Sequence, residues 1–420
     1  ARRCEGAKVV GISLLVANLQ STYRLVQHMK GRGYEVVLGG AYPSVSPEVV
    51  AQMGLRYGIA GEGEIAFVRL CESLIHGHGK PEDIPGIIVA EDRERVWTQP
   101  PELVLDLDPW LPDRSIFNVG TYKLPNSGPL QVALSSRGCP YRCTFCYCSS
   151  ASPNSMFNTS RWMSVDVAVR DFVDTARRHR PQYIEMLDET FTVSRTFVTE
   201  FCEGLIDAGV KVPWGAKTRV DLVDDELIDL MSRAGLQKLG FGLESGVHDH
   251  RKAMRKDFDN QEAAQVFADT RRSGVESACT IIFGHPDETP EQMQASVDFV
   301  KDIQATYVEF HIMVLIPGTH LFRQALREGK VQEDVFERYM RGEAGYPEYA
   351  PGDLTGQQMR HIHRRAVRDF YFRPAYLSET LRRVRSPRQL VQYGRAARSL
   401  LKMTDLRRPV WALGRSRLGS

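Results

Sequence analysis

From Leu130 to about Pro317 the chain repeats one unit: a short apolar run, then a longer stretch with helical spacing. Strands are expected at Val132–Ser136, Tyr183–Leu187, Trp214–Thr218, Lys238–Leu243, Ala278–Phe283 and Tyr307–Leu315. Helices are expected between them, at Val165–Arg178, Arg195–Ala208, Asp224–Ala234, Asn260–Arg272 and Pro290–Ile303. Strands that alternate with helices pair in parallel, because each crossover must carry the chain back to the same end of the sheet. Six such units in sequence predict a partial (β/α)6 barrel of the TIM type, with its chemistry at the C-terminal strand ends.

Residues 1–80 repeat the pattern on a smaller scale. Strands are expected at Lys8–Ser13, Tyr34–Leu38 and Tyr57–Ala60, with helices at Ser21–Arg32, at Ser46–Met53 and through Cys71 to Leu74. This reads as the later part of a Rossmann-like, doubly wound α/β domain. The chain opens on Ala1 rather than Met, already near a folded element, so the start of that domain is expected to be missing. Residues 81–129 carry Pro81, Pro85, Pro100, Pro101, Pro109, Pro112, Pro125 and Pro129. Proline lacks the amide that helices and central strands need, so a linker packed as a strap is expected. Residues 320–420 read as a helical C-terminal region.

Composition narrows the partners. A net charge of +2 makes no strong electrostatic demand for a polyanion, so no nucleic-acid partner is expected. No apolar run approaches the roughly 18 residues that span a bilayer. Eight cysteines in 420 residues is ordinary usage, and no signal peptide is visible. A cytoplasmic location with reduced thiols is expected. Cys71, Cys202 and Cys279 lie in apolar runs and read as core residues.

The remaining thiols carry the chemistry. Ser136-Arg137-Gly138-Cys139-Pro140-Tyr141-Arg142-Cys143-Thr144-Phe145-Cys146-Tyr147 places three cysteines on one loop in the spacing C-x3-C-x2-C. Structural zinc takes four closed ligands. Cys148 could complete such a set with Cys139, Cys143 and Cys146, although adjacent C-x-C thiols crowd a tetrahedron. Three thiolates on a four-iron, four-sulfur cluster instead leave one iron open. The spacing resembles that of the radical S-adenosylmethionine (SAM) enzymes. The resemblance implies that Cys139, Cys143 and Cys146 hold a 4Fe-4S cluster and that Tyr147 flanks the adenine of SAM. The open iron would then bind the amino and carboxylate groups of SAM, which an electron cleaves to a 5′-deoxyadenosyl radical.

Further elements fall at the expected strand ends. Asp188-Glu189-Thr190-Phe191 resembles the D-D-x-F-T element of cobalamin-dependent members, where a carboxylate suits the SAM ammonium. A helix cap is the plainer role for Asp188 or Glu189. Gly242-Leu243-Glu244-Ser245 resembles a G-x-E-S element whose acid contacts SAM, which implicates Glu244 and Ser245. Arg219 either pairs with Asp221 or meets the SAM carboxylate. Gly284-His285-Pro286-Asp287-Glu288-Thr289 resembles G-x-P-G-E-T with Asp287 in place of glycine, and His285 reads as structural before catalytic. Pro317-Gly318-Thr319 and Phe370-Tyr371-Phe372-Arg373-Pro374 resemble further elements of the same group.

In the first domain, Ser13-Leu14-Leu15 and Gly39-Gly40 resemble the S-x-L and G-G elements of cobalamin-binding domains. They implicate Ser13, Leu15, Gly39 and Gly40 in holding cobalamin, with a simple strand-to-loop turn as the plainer role for Gly39-Gly40. Gly61-Glu62-Gly63-Glu64 resembles the stretch that precedes the barrel in such proteins. The family's D-x-H-x-x-G loop would lie before Ala1.

The resemblance covers nearly the whole chain. It implies a cobalamin-dependent radical SAM enzyme, most simply a methyltransferase at an unactivated carbon, with a small-molecule substrate and an external electron donor of the flavodoxin or ferredoxin type. An oxidative cyclase or rearrangement enzyme and a non-catalytic cobalamin or metal-binding module are the alternatives. Transfer-RNA methylthiotransferases carry an additional N-terminal cysteine triad, whereas only Cys4 and Cys71 precede Cys139 here. After Leu381 the chain is rich in arginine with interleaved leucines. That pattern suits solvated helix or weak contact with an anionic membrane surface.

Overall fold

Val9, Val10 and Ile12 begin β1 (Val9–Ser13), and α1 (Leu19–Lys30) returns the chain to β2 (Glu35–Gly39). Two short helices, α2 (Ala41–Val45) and α3 (Val49–Gln52), precede β3 (Tyr57–Ile59) and α4 (Gly63–His76). Then come β4 (Ile87–Ala90) and β5 (Val96–Thr98). The five strands form one sheet in sequence order. β1, β2 and β3 are parallel, while β4 runs antiparallel to β3 and β5 to β4. Val37, Ile59, Leu70, Ile84, Ile87 and Val89 bury the core of this sheet.

The computed structural model describes residues 4–116, 129–149, 157–384 and 387–404. Within the stretch expected to be a strap, β4 lies inside the sheet, flanked by β3 and β5. Its prolines punctuate this hairpin instead of excluding it. Pro81 and Pro85 precede β4, Pro100 and Pro101 follow β5, and the β-branched run Ile87-Ile88-Val89 between them keeps every amide.

A second sheet begins with β6 (Leu130–Ala133). Next, β7 (Ser136–Arg137) and β8 (Arg161–Trp162) form a two-stranded antiparallel ribbon. The chain continues through α5 (Val165–His179), β9 (Tyr183–Met186), α6 (Arg195–Asp207), β10 (Trp214–Thr218), α7 (Asp225–Arg233) and β11 (Leu236–Glu244). After α8 (His248–Ala253) and α9 (Asn260–Arg272) come β12 (Glu276–Phe283), α10 (Pro290–Asp302) and β13 (Tyr307–Ile312). β6, β9, β10, β11, β12 and β13 pair in sequence order, all parallel, with β6 and β13 at the edges. This is the partial (β/α)6 arrangement that the repeats predict. β6 ends earlier than expected because Ser136 leaves the sheet to pair with Trp162.

Local chemistry starts each helix. Asp259 accepts from the amides of Gln261 and Glu262 to open α9, and Thr289 with Pro290 opens α10. Trp214 anchors the core, with Phe172, Phe191 and Phe201 edge-on around it at 5.7–6.3 Å between centroids. Its indole nitrogen donates to the carbonyl of Ala234 at 3.0 Å. The chain ends in helices α11 (His320–Arg327), α12 (Val335–Arg341), α13 (Gly356–Tyr371), α14 (Pro374–Arg383) and α15 (Pro387–Met403). The Tyr371 hydroxyl donates to the carbonyl of Val308 at 2.9 Å, and the Arg373 guanidinium lies 4.2 Å from the Phe370 ring centre, so the F-Y-x-R-P element fastens α13 to β13.

Packing divides the chain into two units that do not follow chain order. One comprises Ala1–Leu111, Ser136–Met163 and Val314–Pro347; the other comprises Pro112–Ser135, Ser164–Met313 and Glu348–Ser420. The cysteine loop therefore packs with the first sheet. No helix among the described residues is long and apolar enough to cross a membrane.

Candidate functional site

β1 and β2 place Ser13 directly beside Gly39 in the parallel register. A cavity of about 420 Å3 opens at these strand ends, lined by Ser13, Gly39, Gly40, Gly61, Gly63 and Phe67 among others. Gly40 has φ +98°, and a Cβ there would stand 2.8 Å from the Ser13 hydroxyl and 3.0 Å from the backbone of Leu14. Only glycine allows so close a crossing. Ser44 ties the two glycine loops together: its hydroxyl donates to the carbonyl of Gly40 and accepts from the amide of Gly61, both at 2.8 Å. Ser13, Gly39 and Gly40 thus meet at one cavity. Leu15 does not line it. It lines a second cavity of about 270 Å3 in the same unit, together with Tyr147.

The cysteine loop is fastened at both ends. Gly138 has φ +84°, and a Cβ there would lie 2.2 Å from the carbonyl oxygen of Thr159, so no other residue fits before Cys139. The Cys139 amide donates to Phe157 at 2.8 Å and the Cys146 amide to Cys143 at 3.1 Å. Ser149 donates to the Cys146 carbonyl at 2.9 Å, and the Leu321 amide at the start of α11 donates to Thr144 at 3.1 Å. The Tyr147 ring packs edge-on against Phe157 at 5.3 Å. Cys143 and Cys148 are buried, while Cys139 and Cys146 are half-buried. Among the described residues no three His, Cys, Asp or Glu side chains gather as closely as a single metal ion requires. A cluster distributes its thiolates over separate irons, and the Cys139, Cys143 and Cys146 donor set fits that use.

Sequence reading passed over the side chain that holds this loop. Glu62 receives Arg137 and Arg161 at 2.8 Å each, and the Val104 amide at 2.8 Å. Arg137 also pairs with Glu64 at 2.7 Å. Burial alone would raise the Glu62 carboxyl, but the two guanidiniums and the amide outweigh it and hold the group below its ordinary value. For Arg137, burial is likewise outweighed, by Glu62 and Glu64, and its pKa is raised. The acids of Gly61-Glu62-Gly63-Glu64 therefore clamp β7 and β8, which flank the cysteines.

In the other unit the strand ends carry the remaining candidates. Asp188, buried after β9, accepts from the Ser135 hydroxyl at 2.8 Å and from its amide at 3.2 Å, which joins the ends of β6 and β9. Arg219 pairs with Asp221 through two bonds of 2.8–2.9 Å, the structural alternative of its two readings. Glu244 occupies the left-handed region at φ +67°, a costly conformation for a residue with a Cβ. Its buried carboxylate accepts from Lys256 at 2.7 Å and from the Thr280 hydroxyl at 2.7 Å. Lys256 carries no motif signal, because its contact with Glu244 arises only from the fold. The Ser245 hydroxyl is turned to Ser296 of α10 at 3.3 Å and accepts from the Val247 amide at 3.1 Å.

Asp287 adopts φ +67°, so the turn that usually takes glycine survives here. His285 stacks on His250 at 5.2 Å, and Glu288 accepts from the amides of Gly284 and His285. Burial holds the His285 imidazole below its ordinary value. Burial also pushes the Cys202 thiol up to about 12 and raises Cys279 further, as befits core thiols. Cys71 is half-buried.

Comparison with known proteins matches this arrangement. Residues 134–300 match the Radical SAM superfamily and residues 1–71 match the B12 binding domain. An uncharacterised methyltransferase, PH0819, of Pyrococcus horikoshii is 25% identical over 379 residues, 88% of this chain and 80% of that protein. An anaerobic magnesium-protoporphyrin IX monomethyl ester cyclase of Rubrivivax gelatinosus is 26% identical over 344 residues, 79% of this chain and 60% of that protein. The radical S-adenosylmethionine methyltransferase TsrM of Kitasatospora setae, solved with cobalamin and a 4Fe-4S cluster bound, shares the fold. Its TM-score is 0.65 at 18% identity, over 76% of this chain and 64% of that one. The glycine-walled cavity, the tethered cysteine loop and these matches agree: the chain carries a B12-binding domain over residues 1–71 and a radical SAM domain over residues 134–300.

Proposed function

We propose that this chain is a cobalamin-dependent radical SAM methyltransferase that acts on an unactivated carbon of a small molecule. The observation that carries the proposal is that one packed unit holds both the Ser13–Gly39–Gly40 cavity and the Cys139–Cys146 loop, clamped through Glu62. A methyl donor and a radical generator must act on one carbon, and a shared rigid support suits that need. Methyltransferase names among the relatives support the same reading.

Cys139, Cys143 and Cys146 would hold the cluster, and Ser13 with the glycine walls of the larger cavity would hold cobalamin. Once bound, these groups and SAM supply the radical and the methyl group. The protein's own residues orient and shield. Tyr147, directly after the last cysteine, would stand beside the adenine of SAM at the edge of the smaller cavity. Glu244 keeps a buried negative charge in place through Lys256 and Thr280, and Asp188 fixes the mouth between two strands. Ser245 serves the turn that presents Glu244. An external flavodoxin- or ferredoxin-type donor would deliver the electron in the cytoplasm. The arginine-rich C-terminal helices would give weak contact with an anionic membrane.

Incubation with SAM labelled in its methyl group tests this. The account expects a product that has gained one methylene and carries the label. The similarity to cyclases favours one second reading, oxidative cyclisation, which would leave the product without the labelled carbon.

A further inference from the structure

Ten residues line the 270 Å3 cavity shared by Leu15 and Tyr147, and each is aliphatic or tyrosine. None of them is charged, although 25% of the whole chain is. Leu15 is 50% exposed and Tyr346 is 41% exposed, while Tyr42 and Val45 form a buried floor. Large apolar side chains gathered around an opening are held ready for a ligand more often than left to water.

The position of the walls says which reactant they meet. Leu15 stands two residues beyond Ser13, Ala41 and Tyr42 directly follow Gly40, and Tyr147 directly follows Cys146. Val314 and Ile316, just past β13, complete the enclosure. The cavity therefore borders both elements assigned to cofactors.

We propose that this cavity is the apolar subsite of the substrate, taking the neutral hydrocarbon or aromatic portion that bears the carbon to be methylated. The inference rests on the methyltransferase reading and adds the substrate's chemical class. Elimination by polarity carries it. SAM brings an ammonium, a carboxylate and ribose hydroxyls, and cobalamin brings a fringe of amides. Around this cavity the lining side chains offer only the hydroxyls of Tyr42, Tyr147 and Tyr346, too few to pair so many polar groups, and those left unpaired are costly to bury. An uncharged hydrocarbon loses nothing there and leaves water. An apolar cavity of about 150 Å3 accepts benzene, so 270 Å3 leaves room for a two-ring aromatic or a branched hydrocarbon of similar bulk.

The test uses the full chain, reconstituted anaerobically with cluster, cobalamin and SAM, and two probes of equal shape. 2-Naphthol is neutral at pH 7 and 2-naphthoate is charged. The proposal expects naphthol to bind at least tenfold more tightly than naphthoate. Ala17→Trp and Ile316→Trp, which fill the cavity from different segments, should each weaken naphthol at least tenfold with cobalamin and SAM stoichiometry unchanged. Ala17 is exposed, so its variant should fold even if the other does not. Equal binding of the two probes would overturn the proposal. So would filled variants that keep naphthol, or that lose cobalamin while naphthol stays bound; the latter would give the cavity to the corrin. Formation of 5′-deoxyadenosine by the parent without probe reports separately on the enzymatic reading, so either can fail alone.

Discussion

Glu62 is the most heavily engaged acid near the cysteines, and its surroundings define what its loss would do. Glu62→Gln keeps the shape but leaves Arg137 and Arg161 facing a neutral amide. Bonds to charged groups of this kind contribute about 1.5–3 kcal/mol, so the variant should melt several degrees lower and retain less iron after reconstitution. Because the folded-state carboxyl is held below its ordinary value of 4.5, its stabilisation is present at neutral pH. It is lost as pH falls from 4.5 through the lowered value. Urea titrations should therefore separate parent from variant at pH 7, with the gap narrowing as pH falls below 4.5 and closing only below the lowered folded-state value. Equal stability at pH 7 would show that the clamp contributes nothing.

Lys256 gives a second case. Lys256→Met leaves the Glu244 carboxylate buried without its cation, which should cost about 3–5 kcal/mol. The double variant with Glu244→Gln should recover most of that loss, since no bare charge remains. If Lys256→Met were as stable as the parent, Glu244 would not depend on the pair. Neither residue's bond could be read from the chain: Glu62 and Arg161 are 99 positions apart, and Lys256 sits in no recognisable motif.

At the level of elements, what was legible was local. A strand, the turn after it and the residues of that turn are contiguous, so β9 with Asp188, β11 with Glu244 and β12 with Asp287 could be located from periodicity and motif together. The β4–β5 hairpin was hidden because prolines outside a strand look like prolines within it until pairing is known. The separation of Leu15 from Ser13 was hidden as well: both lie at the end of β1, but they face different cavities. The last helices make their own prediction. Leu377 and Leu381 on α14, and Leu390, Val391 and Leu401 on α15, are exposed beside arginines. Arg385, Arg407, Arg408, Arg415 and Arg417 lie outside the described residues. The full chain should cosediment with anionic vesicles at low salt and release as salt screens the charge. Deletion after Leu381 should abolish this; unchanged sedimentation would clear the tail of the role.

For the molecule as a whole, chain order and packing disagree in an instructive way. The cysteine loop follows β6 in sequence, yet it packs with the sheet of β1–β5, because Glu62 and Glu64 bind its flanks and α11 bonds its centre. Periodicity assigns a segment to the nearest repeat and cannot register a clamp supplied from elsewhere. That clamp places the three thiols in the same unit as the glycine-walled cavity, which is the arrangement a two-cofactor reaction requires. The central claim is that Cys139, Cys143 and Cys146 hold the cluster that splits SAM. Anaerobic protein, reconstituted and reduced, should release 5′-deoxyadenosine from SAM, and the variant with all three cysteines replaced by alanine should release none. Release at the parent's rate from that variant would contradict the account.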